Sequence, residues 1–174
     1  MQLAILFASS VFAAALIAGG EIATPSSAAE LFTGRCHMNH CWWFSIEEKE
    51  LIASNERGAL FKATIKVWES EHPDGNYETK ARRTGGEATL IYFFCSKQSP
   101  AVIWEAGRVF EGIIIDPYNV AGATEGATSQ YFAACHGVHY SEQIDPGKKF
   151  RYEQSNADLT QLELVRPEEI LRAN

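Results

Sequence analysis

The chain has 174 residues, 46% of them hydrophobic and 21% charged, with a formal net charge of −7 and a pI near 5.2. Those proportions are ordinary for a globular protein, and the length suits one domain. The acidic balance argues against a nucleic-acid partner or an anionic membrane surface, since either favours a basic face.

The chain opens on a targeting pattern. Residues 3–18 are almost wholly apolar and uncharged, the length of a signal-peptide core rather than the roughly 20 residues of a membrane span. Small residues then accumulate up to Ser27-Ala28-Ala29, which sets an expected cut before Glu30, with Ala18-Gly19-Gly20 as an alternative. The first Lys or Arg is Arg35, so no side chain supplies the usual basic leader and only the α-amino group is positive there. The expectation is a cleaved signal peptide over residues 1–29 and a single globular domain over residues 30–174. It implies a periplasmic or extracellular location and no stable membrane insertion after cleavage. A retained anchor is the alternative.

Beyond the leader the pattern is mostly of period two. Residues 42–46 are aromatic and β-prone, and residues 55–58 form a turn signal. Over residues 59–69, Phe61, Ala63, Ile65 and Val67 fall on one face and Lys62, Thr64 and Lys66 on the other, as in a half-buried strand. Leu60 and Trp68 sit on that polar face. His72-Pro73-Asp74-Gly75-Asn76 is a turn, and the polar stretch 78–83 reads as a solvated strand or loop ending at Gly85-Gly86.

Residues 88–95 are apolar on both faces, which predicts a central strand covered on both sides. A short connection leads to residues 101–104, which return antiparallel as a hairpin. Residues 109–115 form another apolar strand, stopped by Asp116-Pro117. A Gly-, Ala- and Thr-rich loop then leads into a helix over residues 128–136, stopped by Gly137. Asp145-Pro146-Gly147 is a further turn, residues 159–165 alternate again, and Pro167 opens a short closing helix over residues 167–171. The predicted fold is α+β or mainly β: a compact antiparallel sheet of five to seven strands with one or two short helices, reinforced by disulfides.

Four cysteines allow three pairings. The economical set is Cys36–Cys41 and Cys95–Cys135, and an exported chain favours disulfides over free thiols. Four of the five histidines lie beside those cysteines: His37 and His40 inside the Cys-x4-Cys hexapeptide, His136 and His139 near Cys135. Each pair has the i, i+3 spacing that can place two imidazoles on one side of a turn, so a Zn or Cu site of His37, His40, His136 and His139 is one alternative. A thiol enzyme using Cys135 beside His136 is another. Against catalysis, the chain has no Gly-x-Ser-x-Gly, no His-Glu-x-x-His, no phosphate-cradling glycine loop and no Cys-x-x-Cys. The expectation is that no residue is catalytic and no cofactor is required.

The remaining reading is a binding function. A six-residue loop closed by its own disulfide loses little entropy on docking, and His37, Met38, Asn39 and His40 would form its contact surface. The partner, a protein or a small ligand, is not specified by these residues. The hexapeptide resembles the Cys-x4-Cys loop of the periplasmic lysozyme inhibitors called Ivy, in which a histidine enters the lysozyme cleft. That family carries its histidine third after the first cysteine, where this chain has Asn39, with His40 fourth. The resemblance implies a lysozyme-type hydrolase inhibitor as a further alternative and covers those six residues alone. The structural alternative is that the bridge merely pins the N-terminal edge of the sheet, with Trp42, Trp43 and Phe44 as core.

Overall fold

The computed structural model describes residues 29–120, 122–140, 145–154 and 161–173. The expected signal peptide therefore lies outside the described residues, Ala29 excepted. Among the described residues, seven strands form one antiparallel sheet in sequence order: β1 (Leu31–His37), β2 (His40–Asn55), β3 (Gly58–Glu71), β4 (Thr84–Cys95), β5 (Ala101–Ala106), β6 (Val109–Ile114) and β7 (Gln161–Leu164). A helix α1 (Glu125–His136), a one-turn helix α2 (Pro146–Lys149) and a 3-10 turn (Pro167–Leu171) complete the domain. Both expected bridges are present, Cys36–Cys41 and Cys95–Cys135, so the fold is the disulfide-reinforced, mainly β class predicted. No helix among the described residues is long and apolar enough to cross a membrane.

The sheet is covered on both faces, and β4 shows why. Phe93 packs under α1 with Ala63, Ile65, Val102 and Ile115, whereas its neighbour Phe94 points the other way, onto Leu60, Ala101, Ile103 and Ile170. Successive strand residues face opposite sides, so a strand with two layers over it must be apolar at consecutive positions. That condition holds only at the end of β4; its first half, from Thr84 to Leu90, is solvent-facing apart from Gly86. Leu60, which the period-two pattern places on a polar face, is buried because the 3-10 turn covers that corner. Asn55 and Arg57, in the tight β2–β3 turn, hold the 3-10 turn there by donating to the carbonyls of Leu171 and Ala173.

β1 was not expected as a strand, and β2 runs nine residues past the aromatic stretch that predicts it, from Ile46 to Asn55. The charged run 47–50 hides that extension. In the structure it faces solvent and pairs across the ladder, Glu50 with Lys62 at 3.4 Å and Glu47 with Lys66 at 3.2 Å. Opposite charges on facing strands are compatible with a sheet where hydrophobic periodicity is silent.

Helix α1 begins three residues before the predicted start and ends where expected, Gly137 adopting the left-handed conformation of a C-terminal cap at φ 64°. Its early start was hidden by its surroundings. Gly126, Thr128, Ser129, Gln130, Tyr131, Phe132, Ala133 and Ala134 are all buried, so the helix has no clear polar face to produce a 3.6-residue rhythm. The sheet covers one side; Tyr140 and Phe150 stack on Phe132, and Tyr152 meets it edge-on. Asp145-Pro146-Gly147 opens α2 rather than a plain turn: the Asp145 carboxylate accepts from the Lys148 N–H at 3.0 Å, a side-chain N-cap with Pro in the first turn.

Candidate functional site

The hexapeptide is the tip of the β1–β2 hairpin. Cys36 lies directly across from Cys41, and His37 from His40, leaving Met38 and Asn39 as a two-residue turn. Both turn residues have positive φ, 49° and 67°, the sense of a type I′ turn that matches strand twist. Asn tolerates that region; Met does so at a cost on the order of 1 kcal/mol. Three things hold Met38 there. The Cys36–Cys41 bridge closes the hairpin one pair below. From the neighbouring β3–β4 loop, the His72 N–H donates to the Asn39 carbonyl at 2.6 Å. In return the Asn39 N–H donates to Tyr77 Oη at 3.2 Å.

That loop is itself built on a buried histidine, His72, which in the sequence is only one residue of a turn signal. Trp43 Nε1 donates to Ser70 Oγ at 2.8 Å, and Ser70 Oγ meets His72 Nε2 at 3.0 Å. His72 Nδ1 reaches the Asn76 carbonyl at 3.0 Å, which places the ring proton on Nδ1 and lets the serine hydroxyl donate to Nε2. Both ring nitrogens of His72 are thus partnered, as those of a polar side chain at 2% exposure must be. The period-two rhythm was the available signal: Trp68 and Ser70 share a face of β3, and His72 continues it one step past the strand.

The tip side chains are exposed, Met38 at 77%. Trp42 and Phe44, on the face below, are half-buried and fully buried beneath α1. The bridge thus pins the edge of the sheet, and the four residues between its cysteines remain outside the core.

The two histidine pairs do not converge. His139 Nε2 lies 2.8 Å from Glu30 Oε1, and its ring packs on Phe32 at 4.5 Å. The stretch from Phe32 to His37 spans about 16 Å at strand rise, so His139 and the tip sit at opposite ends of β1. A metal site of His37, His40, His136 and His139 together is not assembled. The thiol reading is corrected too: Cys135 is bonded to Cys95, and a disulfide sulfur is not a thiolate nucleophile. No cysteine among the described residues is free.

His136 has an interior role. It stacks on Phe150 at 4.0 Å, and its Nε2 lies 2.6 Å from Tyr152 Oη. Tyr152 Oη donates to Tyr131 Oη at 3.1 Å, and Tyr131 Oη to the Ser96 carbonyl at 3.2 Å, so the ring N–H of His136 starts the chain as donor. Burial first, then the Lys97 ammonium, lowers the His136 pKa to about 4. Burial likewise pushes Tyr152 up to about 12 and Tyr131 well above the ordinary phenol value.

A pH dependence follows. Because the folded pKa of His136 is depressed, the fold is fully stabilised above the unfolded value of about 6.5 and weakens as pH falls from there toward 4. After discounting for solvent screening, the loss attributable to His136 is about 1–2 kcal/mol. Urea midpoints at pH 7 and pH 4.5 should differ accordingly, and His136→Phe, which keeps the stack and cannot be protonated, should flatten the slope. An unchanged acid slope in that variant would assign the lability to other groups.

Comparison of the chain with protein-family models, with curated proteins and with solved structures returned no match.

Proposed function

We propose that this chain is an exported, non-enzymatic binding domain that presents the tip His37-Met38-Asn39-His40 to a partner protein in the periplasm or outside the cell. The observation that carries the reading is a solvent-exposed methionine held at positive φ by a disulfide and by a second loop. An apolar side chain on a pre-organised turn loses little freedom on docking, so more of its contact energy appears as affinity. The two bridges favour an oxidising compartment. The acidic charge favours a basic partner.

The test is a photo-crosslinking residue at position 38, with the same residue at exposed Glu105 as control, in cells exporting the full chain. An adduct of discrete mass is expected from position 38 only and should disappear in Cys36→Ser/Cys41→Ser. Absence of a position-38-specific adduct overturns the reading. The lysozyme-inhibitor version rests on the disulfide-closed loop with an exposed histidine. It predicts inhibition of a basic lysozyme that is lost in His40→Ala.

A further inference from the structure

The same tip carries a second chemistry that needs no protein partner. His37 and His40 flank the two-residue turn and lie directly opposite each other on β1 and β2. Cross-strand partners project to the same face with Cβ atoms about 5 Å apart, close enough for two imidazoles to converge on one ion at bonds of about 2 Å. Both rings are exposed, and neither is hydrogen-bonded or ion-paired among the described residues, so both are free to turn toward a common ligand.

The backbone that spaces them is fixed. Cys36 and Cys41, one pair below, are covalently joined, and Asn39, inside the turn, is tied through both its N–H and its C=O to Tyr77 and His72. A chelate therefore pays only side-chain ordering and no turn closure. On β3, Glu71 lies directly across from His40 and adds negative charge beside a cation.

We propose that the hairpin tip is a two-imidazole chelate for a borderline divalent transition metal, copper(II) ahead of zinc(II), with His37 and His40 as its ligands. Imidazole suits both ions, and the general order of divalent affinities sets copper first. No group of three or more His, Cys, Asp or Glu among the described residues is placed to hold a metal. The remaining coordination positions therefore belong to water, which leaves a site open to an external donor.

The experiment is a copper(II) titration of the oxidised, untagged protein, followed by calorimetry and by electron paramagnetic resonance. The expected result is one saturable site whose spectrum shows two nitrogen ligands. His37→Ala and His40→Ala should each weaken it by about tenfold or more, the loss of one metal–ligand bond. Both positions are exposed, so these variants should keep the native circular dichroism spectrum. Cys36→Ser/Cys41→Ser, which frees the turn, should weaken binding several-fold while leaving both ligands in place. The proposal is overturned if copper(II) does not saturate a site below millimolar concentration. It is equally overturned if the double variant His37→Ala/His40→Ala binds as tightly as the parent. Neither result bears on the crosslinking test, so failure of the metal site and failure of the docking reading are separable.

Discussion

Removing the Cys95–Cys135 bridge should destabilise the domain about twice as much as removing Cys36–Cys41. In the chain-entropy model the sequence separations of 40 and 5 residues convert to about 4 and about 2 kcal/mol. The location of the bridges points the same way. Cys95 ends the central strand β4, and Cys135 sits in the last turn of α1, so the longer bridge joins the sheet to the helix that covers its core. The shorter bridge joins neighbours already in register on one hairpin. For a domain of this size, Cys95→Ala/Cys135→Ala should lower the melting temperature by about 10–15 °C. The tip pair changed in the same way should cost roughly half of that. The decisive observation is the pairing of effects. The long bridge should alter stability and leave copper affinity at the tip unchanged, whereas the short bridge should alter both. Equal melting temperatures for the two double variants would mean that α1 is held to the sheet by packing alone.

The fold class was legible because the alternation over residues 59–69 fits a half-covered strand and the apolar run ending at Cys95 fits a strand, although double cover reaches only Phe93 and Phe94 within it. Two helix ends were legible as well, Gly137 as the C-cap of α1 and Pro167 at the start of the 3-10 turn, since both act through backbone conformation that needs no tertiary context. What stayed hidden was whatever long-range contacts decide. β1 contains Gly34 and Arg35 and shows no alternation of its own. It becomes a strand because β2 lies beside it and α1 lies over it. Leu60 shows no reason to be buried until the 3-10 turn, more than a hundred residues away in the chain, is placed on it. In the candidate site, the hexapeptide announced itself through its cysteines and histidines, while its buttress did not. His72 reads as one residue of a turn because two of its partners, Ser70 and Asn76, are its near neighbours, while the contacts that make it a buttress, to the Asn39 carbonyl and through Ser70 to Trp43, come from the distant hairpin.

The glycines around Trp42 give the second large effect, with a sign opposite to helix propensity. Ala replaces Gly inside an ordinary helix with a gain of up to about 1 kcal/mol. At Gly126, in the first turn of α1, an added Cβ would lie 2.0 Å from Cζ2 of Trp42 and 2.7 Å from its Cη2. The indole has no room to retreat, because a Cβ built on Gly34 of β1 would already lie 2.6 Å from Cε3 on the same ring. Gly126→Ala must therefore lift the N-terminal end of α1 or push Trp42 against β1, and overpacking of this kind costs about 1–3 kcal/mol. A net destabilisation of about 2 kcal/mol is expected from urea unfolding. Trp42→Phe shortens the ring on the crowded side, so Gly126→Ala should cost much less in that background, giving a coupling of more than about 1 kcal/mol. The strand that carries His37 is held under α1 through this contact, and Ser129 Oγ donating to the Gly34 carbonyl at 2.8 Å ties the same two elements. Displacing α1 should thus reach the tip: copper binding should weaken in Gly126→Ala and recover in the double variant. Stabilisation by Gly126→Ala, as propensity alone dictates, would show that Trp42 is not confined between the two glycines.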